Sequence, residues 1–534
     1  MSCAALLAID SLGVSIGGTR ILDGVSLAVA RGEILGLVGA SGSGKSMTAL
    51  AVMRLLPPGA RVTGSVALQG ETLTAMSERA LQGIRGLRIG IVFQEPMTAL
   101  NPLMRIGDQV AETVRLHRSV PRAAAQGLAR EALDVVGLRE PDGALDRYPY
   151  ELSGGQRQRV AIAMATALSP SLLIADEPTT ALDAGSQAEI LRLLTGLSRD
   201  RGMGLILISH DFGVISQVTE RVAVMQRGRI VEQGATRELL ARPQHPYTRA
   251  LLAAASLDAK RSARGKPPSA AVLEVHEIVR EYPRRRVALW RRAPPLRAVD
   301  GVSLRIHAGE TVGLVGESGS GKSTLLRTIL ALDRPQSGEV RLLGEVFSGA
   351  QGAVQRRLRR SIQVVLQDPY GSFDPLWRVE RLVAEPYYAL DKPPGTMERR
   401  AGIAEVLEQV GLSAADAERY PHEFSGGERQ RIAIARALIL KPAVIAFDEA
   451  VSALDVLVRA QILELLAALA ERLKLAYLFV SHDLNVVRSI ADRVYVMRQG
   501  RIVEHGPTEN VFSAPQHEYT KALLAAAPRI GARL

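Results

Sequence analysis

Gly39-Ala40-Ser41-Gly42-Ser43-Gly44-Lys45-Ser46 places glycines ahead of a lysine and a hydroxyl, and Gly316-Glu317-Ser318-Gly319-Ser320-Gly321-Lys322-Ser323, with Thr324 after it, repeats the arrangement. Glycine tolerates positive φ and leaves room for close approach, so either loop can wrap a phosphate chain. A helix starting at the lysine adds unpaired N–H groups and about half a positive charge. Lys45 and Lys322 are then expected to reach the β and γ phosphates of a nucleotide, and the Ser46 and Ser323 hydroxyls to ligate Mg²⁺.

Two acidic pairs complete this chemistry. Asp176 and Asp448 each end an apolar run, where a carboxylate can hold the hydration shell of Mg²⁺. Glu177 and Glu449 follow directly and are expected to orient the attacking water or act as its base.

Elements must bring these residues together. The run ILGLVG reads as a strand entering the first glycine loop, and MTALAVMRLL after Lys45 has helical spacing. LLIAD and GLILIS read as buried strands that end on polar residues, which puts those residues at the carboxyl edge of a parallel sheet. ILDGVSLAVARGE and AVDGVSLRIHAGE alternate like strands. RAAAQGLAREALDVVGL is helical and leads into an SGG motif. The fold class is α/β, with a helical subdomain inserted in each half.

Everything occurs twice. Lys322 lies 277 residues after Lys45, and Ser425, Glu449 and His482 each lie 272 after Ser153, Glu177 and His210. The expected domains are 1–255, with a C-terminal segment at 232–255, and 272–534, with its counterpart at 504–530. SLDAKRSARGKPPSAA (256–271) reads as the linker.

The 534 residues are 47% hydrophobic and 23% charged, ordinary for globular domains. No stretch approaches the roughly 18 to 20 apolar residues of a spanning helix. The start MSCAALLAIDSLGV has no basic leader and Asp10 interrupts it, so a cytoplasmic location is expected. One cysteine, Cys3, permits neither an internal disulfide nor a cysteine-held cluster. The net charge of +11 suggests an anionic contact, although its arginine runs at 284–292 and 356–360 read first as solvated surface.

LSGGQRQRVAIAMA and FSGGERQRIAIARA, followed by Asp-Glu, Ala-Leu-Asp and Ser-His-Asp, resemble the ATP-binding cassette (ABC) family over nearly the whole chain. The resemblance implies two P-loop cassettes that hydrolyse ATP with Mg²⁺ and pair as an intramolecular pseudo-dimer. It implies that Ser153, Gly154, Gly155 and Gln156, and Ser425, Gly426, Gly427 and Glu428, cap the γ-phosphate held by the opposing half. Gln94 and Gln367 are implied to sense Mg²⁺ and water, His210 and His482 to contact the γ-phosphate, and Asp183 and Asp455 to communicate across the pair. An aromatic residue near the first strands stacks on adenine in the family. Tyr282 fits in half two, whereas half one offers Ile16. Glu428 in place of a glutamine puts the strength of one site in question.

Finer features resemble the ATPases of dipeptide, oligopeptide and nickel uptake. QEPMTALNPLM (94–104) and QDPYGSFDPLW (367–377) carry that subfamily's Asn-Pro or Asp-Pro closure. QHPYTRALLAA (244–254) carries its His-Pro-Tyr-Thr motif, and QHEYTKALLAA (516–526) departs at Glu518. That motif itself reads as a turn before an amphipathic helix, without a mechanistic role. The resemblance implies an energy subunit at the cytoplasmic face of the inner membrane. It implies two permease subunits, an extracytoplasmic binding protein as indirect partner, and no nucleic acid. The alternative is a tandem-cassette translation factor on the ribosome, a family in which a long, charged, helical linker is expected; the linker here is short and rich in Pro, Gly and Ser.

Overall fold

The computed structural model describes residues 5–94, 99–139, 144–180, 182–256, 270–283, 294–368 and 371–527. The chain divides into two compact units, with the break after Ser256. Nearly all of the linker read at 256–271 lies outside the described residues, as do the 284–292 arginine run and Cys3.

In the first unit a six-stranded sheet runs in the order Arg229–Ala235, Arg221–Gln226, Ile34–Val38, Gly204–Ser209, Leu172–Asp176 and Ile89–Val92. All neighbours are parallel except the first pair. Ile34–Val38, Leu172–Asp176 and Gly204–Ser209 are buried at every residue. They read as unbroken apolar runs because parallel strands are covered on both faces. A four-stranded antiparallel sheet, Thr19–Val29, Leu7–Ile16, Arg61–Leu68 and Glu71–Thr72, supplies a second core with Leu22, Val25, Val66 and Leu68.

Helices Ile106–His117, Arg122–Val135 and Gly154–Thr166 form the inserted helical part. Val110 and Val114 of the first, Ala125, Ala129 and Leu133 of the second, and Val160 and Ile162 of the third share one core.

The second unit repeats the plan. Its six strands follow the order Ile362–Val365, Val444–Asp448, Ala476–Ser481, Thr311–Val315, Arg493–Arg498 and Arg501–Pro507. Ala271–Tyr282, Leu296–His307, Ser337–Leu342 and Glu345–Val346 form the antiparallel sheet. Val379–Ala384, Thr396–Gln409 and Gly426–Leu438 form the helical part.

The arginine run at 356–360 lies on the helix Gly352–Ser361 and bonds within the unit. Arg357 pairs with Glu345 at 2.5 Å. Arg360 pairs with Asp391 at 3.0 Å and donates to the Ala389 carbonyl at 2.9 Å. Among the described residues, no helix is long and apolar enough to cross a membrane.

Candidate active sites

Register decides which residues share an edge. Val38 is level with Ser209, and Asp176 with Ile208, so the first glycine loop, Glu177 and His210 all leave the sheet on one side. Val315 level with Ser481, and Asp448 with Val480, does the same for Glu317, Glu449 and His482.

Each loop conformation demands glycine in a specific way. Gly44 has φ 105° and stands immediately before the helix Lys45–Met53. Gly39 needs space, since a Cβ there would lie 2.3 Å from the Met225 carbonyl oxygen. The Lys45 ammonium is buried and donates to the Gly39 carbonyl at 2.8 Å and the Ala40 carbonyl at 3.0 Å. Lys322 donates likewise to Gly316 at 2.7 Å and Glu317 at 2.9 Å. Burial lowers the affinity of the Lys45 amine for its proton, and Glu177 and Asp176 partly restore it. The buried hydroxyls of Ser43 and Ser320 have no hydrogen-bond partner.

Burial pushes the Asp176 carboxyl up, with the Ser46 hydroxyl beside it opposing the shift. Its Oδ1 is buried without a hydrogen-bond partner. Burial and the neighbouring Glu449 push Asp448 up as well. A hydroxyl next to an unpartnered carboxylate oxygen is an all-oxygen donor set that suits a hard divalent cation.

The adjacent glutamates behave oppositely. Burial raises the Glu177 carboxyl, but the hydrogen bond and charge of His210 outweigh it and hold its pKa below the usual carboxylate value. His210 Nδ1 lies 3.1 Å from Glu177 Oε2, to which Thr180 donates at 3.0 Å and Gln94 at 3.3 Å. Glu449 is lowered in the same way by His482, whose Nδ1 lies 3.0 Å from Oε1. Both glutamates hold positive φ, 47° at Glu177 and 49° at Glu449, sparsely populated for a side chain of this kind. The bends are pinned by Glu177 N–H donating to the Ile208 carbonyl at 3.0 Å and Glu449 N–H to Val480 at 2.9 Å. Gln367 is exposed just beyond the strand Ile362–Val365.

Ser153 and Ser425 begin the helices Gly154–Thr166 and Gly426–Leu438, in capping boxes. Gln156 Oε1 accepts from Ser153 N–H at 2.9 Å, and Glu428 Oε2 accepts from Ser425 N–H at 2.8 Å. Glu428 differs by also accepting the Ser425 hydroxyl proton, at 2.7 Å. Asp183 caps the helix Ala184–Arg201, and Asp455 directly precedes the helix Val456–Leu473.

Tyr282, Ser318, Gly319, Lys322, Ser323 and Glu449 line one cavity of about 470 Å³ in the second unit. The Tyr282 hydroxyl donates to Asp333 at 2.9 Å, and the Arg280 guanidinium lies 4.7 Å from the ring centre. Ile16, its counterpart, packs partly buried against the first unit's antiparallel-sheet core.

The C-terminal segments form the turn and helix expected of them and add a contact that the sequence did not show. His245 and His517 do cap short helices, Pro246–Ala255 and Glu518–Ala526. Tyr247 and Tyr519, however, reach the glycine loops: their hydroxyl oxygens accept from Ala40 N–H at 2.9 Å and Glu317 N–H at 3.0 Å. Only the recurrence of His-x-Tyr-Thr at one place in both halves signalled this in the sequence.

The ABC transporter family model matches residues 22–180 and again residues 299–452. The chain belongs to the ABC transporter family. It is an ATP-binding and ATP-hydrolysing transport subunit with two cassettes. A second model, the oligopeptide/dipeptide transporter C-terminal region, matches residues 231–278 and 503–534, beyond each ABC core. The peptidoglycan transport ATP-binding protein YejF of Agrobacterium fabrum is 46% identical over 99% of this chain and 97% of its own. The glutathione import ATP-binding protein GsiA of Pectobacterium atrosepticum is 44% identical over 96% of this ABC protein and 87% of its own length. The oligopeptide transport ATP-binding protein OppD of Mycobacterium tuberculosis is 43% identical over 95% of both chains.

Proposed function

We propose that this ABC subunit energises the uptake of di- or oligopeptides or similar small solutes through two integral-membrane permease subunits. An extracytoplasmic binding protein delivers the cargo, and the subunit sits peripherally on the cytoplasmic face of the inner membrane. Three relatives described as transporting peptidoglycan, glutathione and oligopeptides support this cargo class, as does the matched C-terminal region.

The observation that carries the catalytic reading is the repeated set of glycine-loop lysine, Asp-Glu pair and histidine at one sheet edge in each unit. Lys45 and Lys322 exchange loop carbonyls for nucleotide phosphates. Ser46 with Asp176, and Ser323 with Asp448, hold Mg²⁺, aided by Gln94 and Gln367. When bound, the ion neutralises charge on the phosphates. Glu177 and Glu449 orient water and take its proton. His210 and His482 hold those carboxylates and turn to the γ-phosphate once ATP is bound. Ser153 to Gln156 and Ser425 to Glu428 cap that phosphate. ATP binding closes the cassettes and hydrolysis reopens them, the cycle that drives the permease.

The chain is to be co-expressed with candidate permeases and reconstituted in vesicles with a peptide-loaded binding protein. ATP-dependent peptide accumulation supports the proposal. Association with ribosomes and no permease-dependent uptake contradicts it.

A further inference from the structure

The first residue pair of each glycine loop is gripped on both sides of one peptide group. The Gly39 carbonyl accepts from Lys45 Nζ at 2.8 Å, while the N–H of the same peptide, on Ala40, donates to the Tyr247 hydroxyl at 2.9 Å. In the second unit the Gly316 carbonyl accepts from Lys322 at 2.7 Å and the Glu317 N–H donates to Tyr519 at 3.0 Å. A peptide group is rigid, so fixing its N–H fixes the direction of its carbonyl. The tyrosine therefore sets where the lysine ammonium rests before nucleotide arrives.

The tyrosines are themselves held. Glu232, on the strand Arg229–Ala235, accepts from Gln244 N–H at 2.8 Å and His245 N–H at 3.1 Å. His245 Nδ1 then accepts from Tyr247 N–H at 3.2 Å. Glu504, Gln516, His517 and Tyr519 repeat this at 2.8, 3.1 and 3.1 Å. The repeat is informative because glycine loops and C-terminal segments do not share one offset, 277 residues for the lysines and 272 for Tyr247 and Tyr519. Both contacts survive that drift. They also survive the change of Pro246 to Glu518, so they depend on histidine and tyrosine rather than on proline. In half two the Arg498 guanidinium lies 4.8 Å from the Tyr519 ring centre, where half one has Gln226.

We infer that Tyr247 and Tyr519 are positioning residues for ATP binding: each is a strut from the C-terminal segment that pre-orients the glycine-loop peptide on which the phosphate-binding lysine rests. The struts place the segment that distinguishes this transporter group in direct contact with the nucleotide loop. Movement of that segment is thereby linked to nucleotide affinity at its own site.

This inference rests on the assignment of Lys45 and Lys322 to phosphate. The test uses the full chain as Tyr247→Phe plus Tyr519→Phe, which removes two oxygen atoms and keeps both rings. Losing one hydrogen bond per site is expected to raise KM for ATP about three- to tenfold. The turnover number should stay within about twofold, because the tyrosines do not touch the reacting atoms, and the melting temperature should fall by no more than the loss of one hydrogen bond per site accounts for. KM equal to that of the unaltered chain overturns the inference. So does a loss of turnover and melting temperature together, which a merely structural role produces. Lys45→Ala plus Lys322→Ala is measured alongside with a fluorescent ATP analogue. If that variant loses affinity and the phenylalanine variant does not, the strut fails alone. If the alanine variant binds like the unaltered chain, the underlying assignment fails.

Discussion

His482 holds Glu449 through a hydrogen bond from Nδ1 to Oε1 at 3.0 Å, and this pair makes the second site sensitive to pH. Burial pushes the His482 imidazole down, but the bond to Glu449 outweighs burial and raises it above its ordinary 6.5. Burial likewise opposes ionisation of Glu449, and His482 outweighs it, leaving the carboxyl below its ordinary 4.5. The carboxylate contribution to stability is present above its unfolded value and lost as pH falls through the lower folded value. The imidazole contribution is present below 6.5 and lost as pH rises through the raised folded value. His482→Ala should therefore destabilise the second unit by about 1 to 3 kcal/mol near pH 6 and clearly less near pH 9. Thermal melts at the two pH values check this; equal losses contradict it.

Tyr282 borders the cavity that contains the second glycine loop and Glu449. The proposed stacking of Tyr282 on adenine is worth about 1 to 3 kcal/mol, so Tyr282→Ala should weaken nucleotide binding at half two about 5- to 150-fold. Tyr282→Phe loses the bond to Asp333 but keeps the ring, and should stay within about threefold. Titration with a fluorescent nucleotide separates the outcomes. Equal loss at both sites in the alanine variant contradicts the assignment.

Glu428 puts a carboxylate in the first turn of the signature helix and draws the Ser425 hydroxyl proton to itself. A phosphate approaching that helix end must share its positive field with this charge. Glu428→Gln keeps the capping geometry, as Gln156 demonstrates in half one. It should lower KM for ATP about two- to fivefold and cost about 0.3 to 1 kcal/mol of helix stabilisation. Steady-state kinetics paired with thermal melts check both; a raised KM contradicts the argument.

The parts of the fold that were legible have local causes. LLIAD and GLILIS coincide with the strands Leu172–Asp176 and Gly204–Ser209 because short runs buried on both faces carry no polar position before their last residue to mislead. The helical reading of RAAAQGLAREALDVVGL likewise became the helix Arg122–Val135, whose Ala125, Ala129 and Leu133 are buried at i, i+4 and i+8. Long-range contacts were not legible. Tyr247 and Ala40 are 207 residues apart, and local patterning shows only a turn before a helix at that tyrosine. The positive φ of Glu177 was hidden for a similar reason, since it follows from the bond to Ile208 on another strand.

The glutamates Glu177 and Glu449 carry the central claim that this chain is a hydrolytic engine with two working sites. Glu177→Gln plus Glu449→Gln preserves size and removes the proposed base from both. Steady-state ATP hydrolysis by the purified double variant should fall about 10²- to 10⁴-fold while ATP binding persists. Turnover equal to that of the unaltered chain contradicts the account.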